Sequence, residues 1–109
     1  MNWFKKAQQV FDLNIWNDCY DYHSGENFCR VIAEDKTTGK VIGYIDYSYY
    51  DGEVDIKMIQ VDAPYRRQGV GTKMIEFLKR EVPEAIIRTG LATEDGYPFV
   101  QSLKKKKIL

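Results

Sequence analysis

The sequence predicts an α/β fold: a mixed, mainly antiparallel sheet flanked by helices. Three observations point there. Residues 41–50 and 53–61 are rich in β-branched and aromatic side chains and are separated by Asp51-Gly52, a two-residue hairpin signal. The second of these runs leads through Gly69-Val70-Gly71 into a segment with helical apolar spacing. A short apolar run at 85–89 follows that helix, completing a strand–helix–strand crossover whose strands should be parallel.

Taken in order, Trp3, Ala7, Val10 and Phe11 predict a short amphipathic helix over residues 2–12. Residues 14–27 read as a polar, aromatic-studded connection with Ser24-Gly25 as its turn. Residues 28–34 form a strand and residues 35–40, with Gly39, a hairpin turn before the strand 41–50. In the strand 53–61, Val54, Ile56 and Met58 share one parity, whereas Ile59 and Val61 take the other. A strand facing a single core does not switch sides. Either its end is buried on both faces, or a bulge near Met58–Ile59 resets the alternation; the bulge is the preferred reading.

Pro64 keeps Ala63 out of helical geometry, so the chain leaves this strand through Asp62-Ala63-Pro64-Tyr65. From Gly71 the helix carries Val70, Met74, Ile75, Phe77 and Leu78 on its apolar side, and Pro83 ends it. After Gly90, Thr93-Glu94-Asp95 opens a last helix with Phe99, Val100 and Leu103 inward.

The whole chain, residues 1–109, reads as one domain. Hydrophobic residues at 44% and charged residues at 29% describe an ordinary globular balance rather than disorder. Formal net charge is zero, which recruits neither nucleic acid nor an acidic membrane surface. Lys104 to Lys107 read as a solvated helix end, since no aromatic residues interleave them. No run approaches the ~20 apolar residues of a membrane span, and the first residues lack a secretory pattern. Cys19 and Cys29 have no CxxC spacing and read as reduced thiols, with a cytoplasmic location expected. His23 is the sole histidine; a turn or surface position is expected, and no metal site.

The chemistry concentrates at Arg66-Arg67-Gln68-Gly69-Val70-Gly71. Glycines let a ligand approach the backbone, the first helical amides lack internal partners, and the helix dipole favours an anion there. Arginine matches phosphate geometry. A P-loop is excluded because Gly71 is followed by Thr72 and only then Lys73; the dinucleotide fingerprint fails because Met74 stands at its third glycine.

The pattern [QR]-x-x-G-x-[GA] is filled from Arg66 to Gly71, and the stretch from Val61 to Gly71 resembles the strand-to-helix signature of the GNAT acetyltransferase superfamily. The resemblance extends over about residues 28–103 and is most specific over 54–78. It implies a GNAT-like sheet splayed at a bulged strand, with acetyl-CoA as co-substrate in the splay. The pyrophosphate would lie on the amides of Gln68, Gly69, Val70, Gly71 and Thr72 beside Arg66 and Arg67. The pantetheine would pair with the backbone of Ile59 and Val61 like an added strand. A backbone amide near the bulge would serve the acetyl oxygen.

An amine acceptor with pKa near ~10.4 must lose a proton before it attacks. The position similar to the family's glutamate base is Asp55, with a solvent-facing aspartate as the equal alternative; Glu53 and Asp46 are weaker choices. At the family's tyrosine acid stands Val100, and Tyr97 is a substitute from the neighbouring turn or a packing residue. The chain is short at both ends relative to the family pattern, which suits a macromolecular amine or completion by a homodimer. The implied function is transfer of an acetyl group from acetyl-CoA to a primary amine. The rival is a GNAT-like module that binds CoA or a protein without catalysis.

Overall fold

A computed structural model describes residues 12–89 of the chain. The helix expected over residues 2–12 and the one opening at Thr93 fall, except for Asp12, outside the described residues. Five strands form one sheet in sequence order: β1 (Leu13–His23), β2 (Glu26–Asp35), β3 (Lys40–Tyr50), β4 (Glu53–Val61) and β5 (Ile86–Thr89). The first four are antiparallel neighbours, and β5 runs parallel to β4, as the crossover requires. Between β4 and β5 lies one helix, α1 (Val70–Glu81).

The connection expected over residues 14–27 is instead the long strand β1 and its turn. Leu13, Ile15, Asn17 and Cys19 do alternate toward the core side of β2, opposite Asp35, Ala33, Val31 and Cys29. A polar residue interrupts that series, which is why the period of two is hard to see. The Tyr47 hydroxyl donates to Asn17 Oδ1 at 2.8 Å and satisfies it there. A bulge at Tyr20 then resets the alternation for the last residues. Ser24 and Gly25 close the hairpin with φ of 52° and 86°, and Asp51 and Gly52 close β3–β4 with 49° and 77°. Positive φ at both turn residues is the geometry that matches strand twist.

The expectation of reduced thiols is overturned by the same strand. Cys19 and Cys29 are cross-strand partners with Cα atoms 3.9 Å apart, and they form a disulfide. Without β1 nothing in the sequence opposes the two sulfurs. Reduction is expected to cost roughly 2–3 kcal/mol, the chain-entropy value for so short a loop. Dithiothreitol should therefore lower the thermal midpoint of the wild-type chain and leave that of a Cys19→Ser variant unmoved.

The core lies on one sheet face beneath α1. Val31, Ala33, Ile45, Val54 and Ile56 are buried, and α1 presents Val70, Met74, Ile75 and Leu78 to them. The helix ends at Val82, just before Pro83, and Lys79 and Arg80 complement the negative end of its dipole. His23 is exposed, with Nε2 3.1 Å from Asp21 Oδ2.

Candidate functional site

The parity fault in β4 is a bulge. Asp46 pairs with Met58 and Tyr47 with Ile56, so Lys57 is the extra residue, one position before the expected site. Val54 and Ile56 are thereby buried on the α1 side before it, and Ile59 after it. Within the described residues, which end at Thr89, β5 pairs with β4 from Glu53 to Ile56, so the outer edge of residues 57–61 of β4 has no strand partner among the described residues.

That edge carries usable backbone. Asp62 N–H donates to Ile42 O at 2.8 Å, toward β3. Alternation then turns Gln60 toward β3 and directs the N–H and C=O of Ile59 and Val61 to the open side. Val61 O already accepts from Arg66 Nε at 2.9 Å, which leaves both groups of Ile59 and the N–H of Val61 facing outward without a partner among the described residues.

Beyond β4 the chain makes a 3-10 turn at Ala63–Tyr65 with Pro64 in its first turn. Tyr65 N–H donates to Asp62 O at 2.8 Å and Gln68 Nε2 to Pro64 O at 2.8 Å, folding the loop back on itself. Arg67 has φ of 62°, and Gly69, the residue capping α1, has φ of 84° and ψ of 5°. A Cβ on Gly69 would meet nothing within 4 Å, so glycine is required there by the left-handed backbone rather than by space. The first bond of the helix runs from Lys73 N–H to Gly69 O at 3.0 Å. The amides of Val70, Gly71 and Thr72 precede it and have no helical acceptor, and no side chain caps this end or puts an acid in its first turn. Such a nest, flanked by two exposed arginines, fits a pyrophosphate. Gln68 serves as a brace through its side chain.

A buried carboxylate holds the loop to the sheet. Asp35, 4% exposed, accepts from Thr37 N–H at 2.9 Å and from the Tyr65 hydroxyl at 3.1 Å. The hydrogen bond to Asp35, then burial and the charge of Asp35, hold the Tyr65 phenol above its ordinary value. The Tyr47 phenol is raised too, by burial, against the opposing effect of its bond to Asn17. Both groups keep their protons more tightly folded than unfolded. Their contribution is complete below about pH 10 and is lost as pH rises through the higher folded values. A Tyr65→Phe variant should consequently show a shallower fall of thermal midpoint between about pH 9.5 and 11.5 than wild type.

The three carboxylates nominated as bases lie on the sheet face away from α1, and each has a cationic partner. Asp55 Oδ2 is 2.7 Å from Lys57 Nζ. Glu53 Oε1 is 2.9 Å from Arg88 Nη2, across the β4–β5 contact. Asp46 is held by Arg30 through Nε at 2.6 Å and Nη2 at 3.0 Å. The bond to Asp55 raises the Lys57 ammonium's value, with burial opposing. Asp55 remains 43% exposed and lies just before the bulge. Tyr97 and Val100 lie outside the described residues.

The sequence clusters Tyr44, Tyr47, Tyr49 and Tyr50 on β3, which reads mostly as strand propensity with an aromatic acceptor groove as the alternative; the one that reaches across to Gln60 of β4 is Tyr44. Its hydroxyl lies 3.0 Å from Gln60 Oε1 and 3.3 Å from Met58 Sδ, and the Arg30 guanidinium sits 4.4 Å from its ring centroid. Its even position on β3, opposite Gln60, was the available signal.

Among the described residues there is no group of three metal-ligating side chains, and no helix is long and apolar enough to cross a membrane. Three solved structures share the architecture. One is a Streptococcus pneumoniae TIGR4 protein, SP0256, of the GNAT acetyltransferase family (TM-score 0.60, 19% identity, 84% of this chain and 86% of that one). Another is a tandem GNAT protein from the clavulanic acid biosynthesis pathway (TM-score 0.59, 17% identity, 87% and 41%). A third is a Deinococcus radiodurans R1 protein described as an acetyltransferase (TM-score 0.55, 24% identity, 70% and 53%). The chain thus spans about half the length of the last. No curated protein matches it. The sequence model of the acetyltransferase (GNAT) family matches residues 1–97, and with the bulged strand, crossover helix and glycine loop in place, the chain belongs to that family.

Proposed function

We propose that the protein transfers an acetyl group from acetyl-CoA to a primary amine by direct attack. The observation that carries this reading is the coincidence, at one end of β4, of a strand edge open among the described residues with an uncapped helix start flanked by Arg66 and Arg67. The bound thioester supplies the activated acyl group. The amides of Val70, Gly71 and Thr72 bind its pyrophosphate, and Ile59 orients the pantetheine through strand-like hydrogen bonds. Backbone amides released from the ladder at the bulge are placed to stabilise negative charge on the acyl oxygen.

Asp55 is the carboxylate assigned to deprotonate the amine, because it stands beside the bulge and keeps one oxygen outside its ion pair with Lys57. The test is acetyl-CoA turnover against lysine peptides, polyamines and aminoglycosides. Asp55→Ala is expected to lower kcat at least ~100-fold with acetyl-CoA binding retained.

The pairing of all three candidate carboxylates favours one rival, a module that binds CoA without catalysis. Thermal stabilisation by acetyl-CoA with no turnover on any of the amines would establish it instead.

A further inference from the structure

The proposed transfer requires a proton for the departing thiolate, and Val100 stands where the family pattern has its tyrosine. Resting on that reading, we propose that the Tyr44 hydroxyl supplies this proton. The register of β3 on β4 sets Tyr44 opposite Gln60, on the face away from α1. Its oxygen is within reach of both Met58 and Gln60, the residues on either side of Ile59. The hydroxyl therefore stands over β4 beside Ile59, whose N–H and C=O face away from β3.

The hydrogen-bond partners suit a proton donor. Tyr65 gives its proton to a carboxylate, and Tyr47 is buried on the opposite face against Asn17. Among the described residues, the Tyr44 hydroxyl has a neutral amide oxygen and a thioether as hydrogen-bond partners. Sulfur in a thioether is a weak acceptor, whereas a thiolate is charged and accepts far more strongly. The hydroxyl is already turned toward sulfur beside Ile59.

The charge left behind is also accommodated. The Arg30 guanidinium lies against the Tyr44 ring, and its two bonds to Asp46 fix its plane there. A cation at that distance stabilises a developing phenolate. The hydrogen bond to Asp46 raises Arg30 above its already high value, so the cation persists at working pH. Other charged groups on this face include Asp18 of β1, Glu26 and Glu34 of β2, Glu53, Asp55 and Lys57 of β4, and Arg88 of β5.

The step balances. The amine nitrogen bonds to the acyl carbon, the carbon–sulfur bond breaks, and sulfur takes the Tyr44 proton. The phenolate recovers the proton that the new amide nitrogen loses. Acetyl-CoA and amine become amide and the CoA thiol.

The experiment compares wild type, Tyr44→Phe and Tyr44→3,5-difluorotyrosine, using acetyl-CoA and an amine that supports wild-type turnover. Tyr44→Phe should lower kcat by about 100-fold or more, the range for loss of a general acid, with thermal stabilisation by acetyl-CoA unchanged. The fluorinated variant keeps the hydroxyl and its packing but makes it more acidic. It should move the alkaline limb of the kcat–pH profile to lower pH, which a structural role would not. Tyr44→Phe within twofold of wild type, or an unmoved profile, overturns the proposal. A wild-type chain that acetyl-CoA stabilises but that turns over no amine overturns it while sparing the cofactor site; absence of stabilisation overturns the cofactor reading itself.

Discussion

Charge reversal at both arginines of the loop, Arg66→Glu with Arg67→Glu, is expected to abolish stabilisation by acetyl-CoA. A ligand at a hundred times its Kd stabilises a protein by about 2.7 kcal/mol. In a domain of this size that amounts to roughly 10 °C or more in thermal midpoint. Each charge-assisted hydrogen bond to phosphate is worth roughly 1.5–3 kcal/mol, and reversal substitutes repulsion for it. Affinity should fall at least ~100-fold, enough to erase the shift at the same ligand concentration. The unliganded variant should melt close to wild type, because both side chains are exposed and only the Arg66–Val61 contact is lost. Equal shifts in the two proteins would show that the loop is not the pyrophosphate site.

The second large effect concerns the helix that carries this loop. Met74 is fully buried between α1 and the sheet, and its Cε lies 3.2 Å from where a Cβ on Gly43 would stand. Met74→Ala removes three heavy atoms from a closely packed site and should cost about 2–5 kcal/mol. Since a small domain has only ~5–15 kcal/mol in total, the urea midpoint should fall by roughly a third of its wild-type value at the middle of both ranges. Glu76→Ala, on the exposed side of the same helix, should stay within about 0.5 kcal/mol and serves as the control. A Met74→Ala midpoint matching that of the control would mean that α1 contributes little to the core.

Much of the site could be read from the residues because local rules governed it. Asp51-Gly52 fixed one hairpin, the parity change at Ile59 announced the bulge, and Pro64 and the two glycines marked the passage into α1. What could not be read depended on pairing across strands. β1 was hidden because Asn17 takes a core-side position that only Tyr47 makes tolerable, thirty residues away. The disulfide was lost with it, since Cys19 faces Cys29 only through the β1–β2 register. The ion pairs of Asp46 and Glu53 are likewise cross-strand, so the sequence offered three bases without showing that each is already engaged.

The place of β5 in the chain, beyond α1, has a consequence for the order of assembly. Turns of two to four residues join β1 through β4, so that meander can zip together by successive local steps. β5 joins only after the chain has passed through α1, and its described residues pair with the edge of β4 alone. Its amides should therefore exchange with deuterated water sooner than those of β2 and β3, through openings that leave the meander closed. The strand beside the proposed donor site would then be the last part of the sheet to form and the first to breathe.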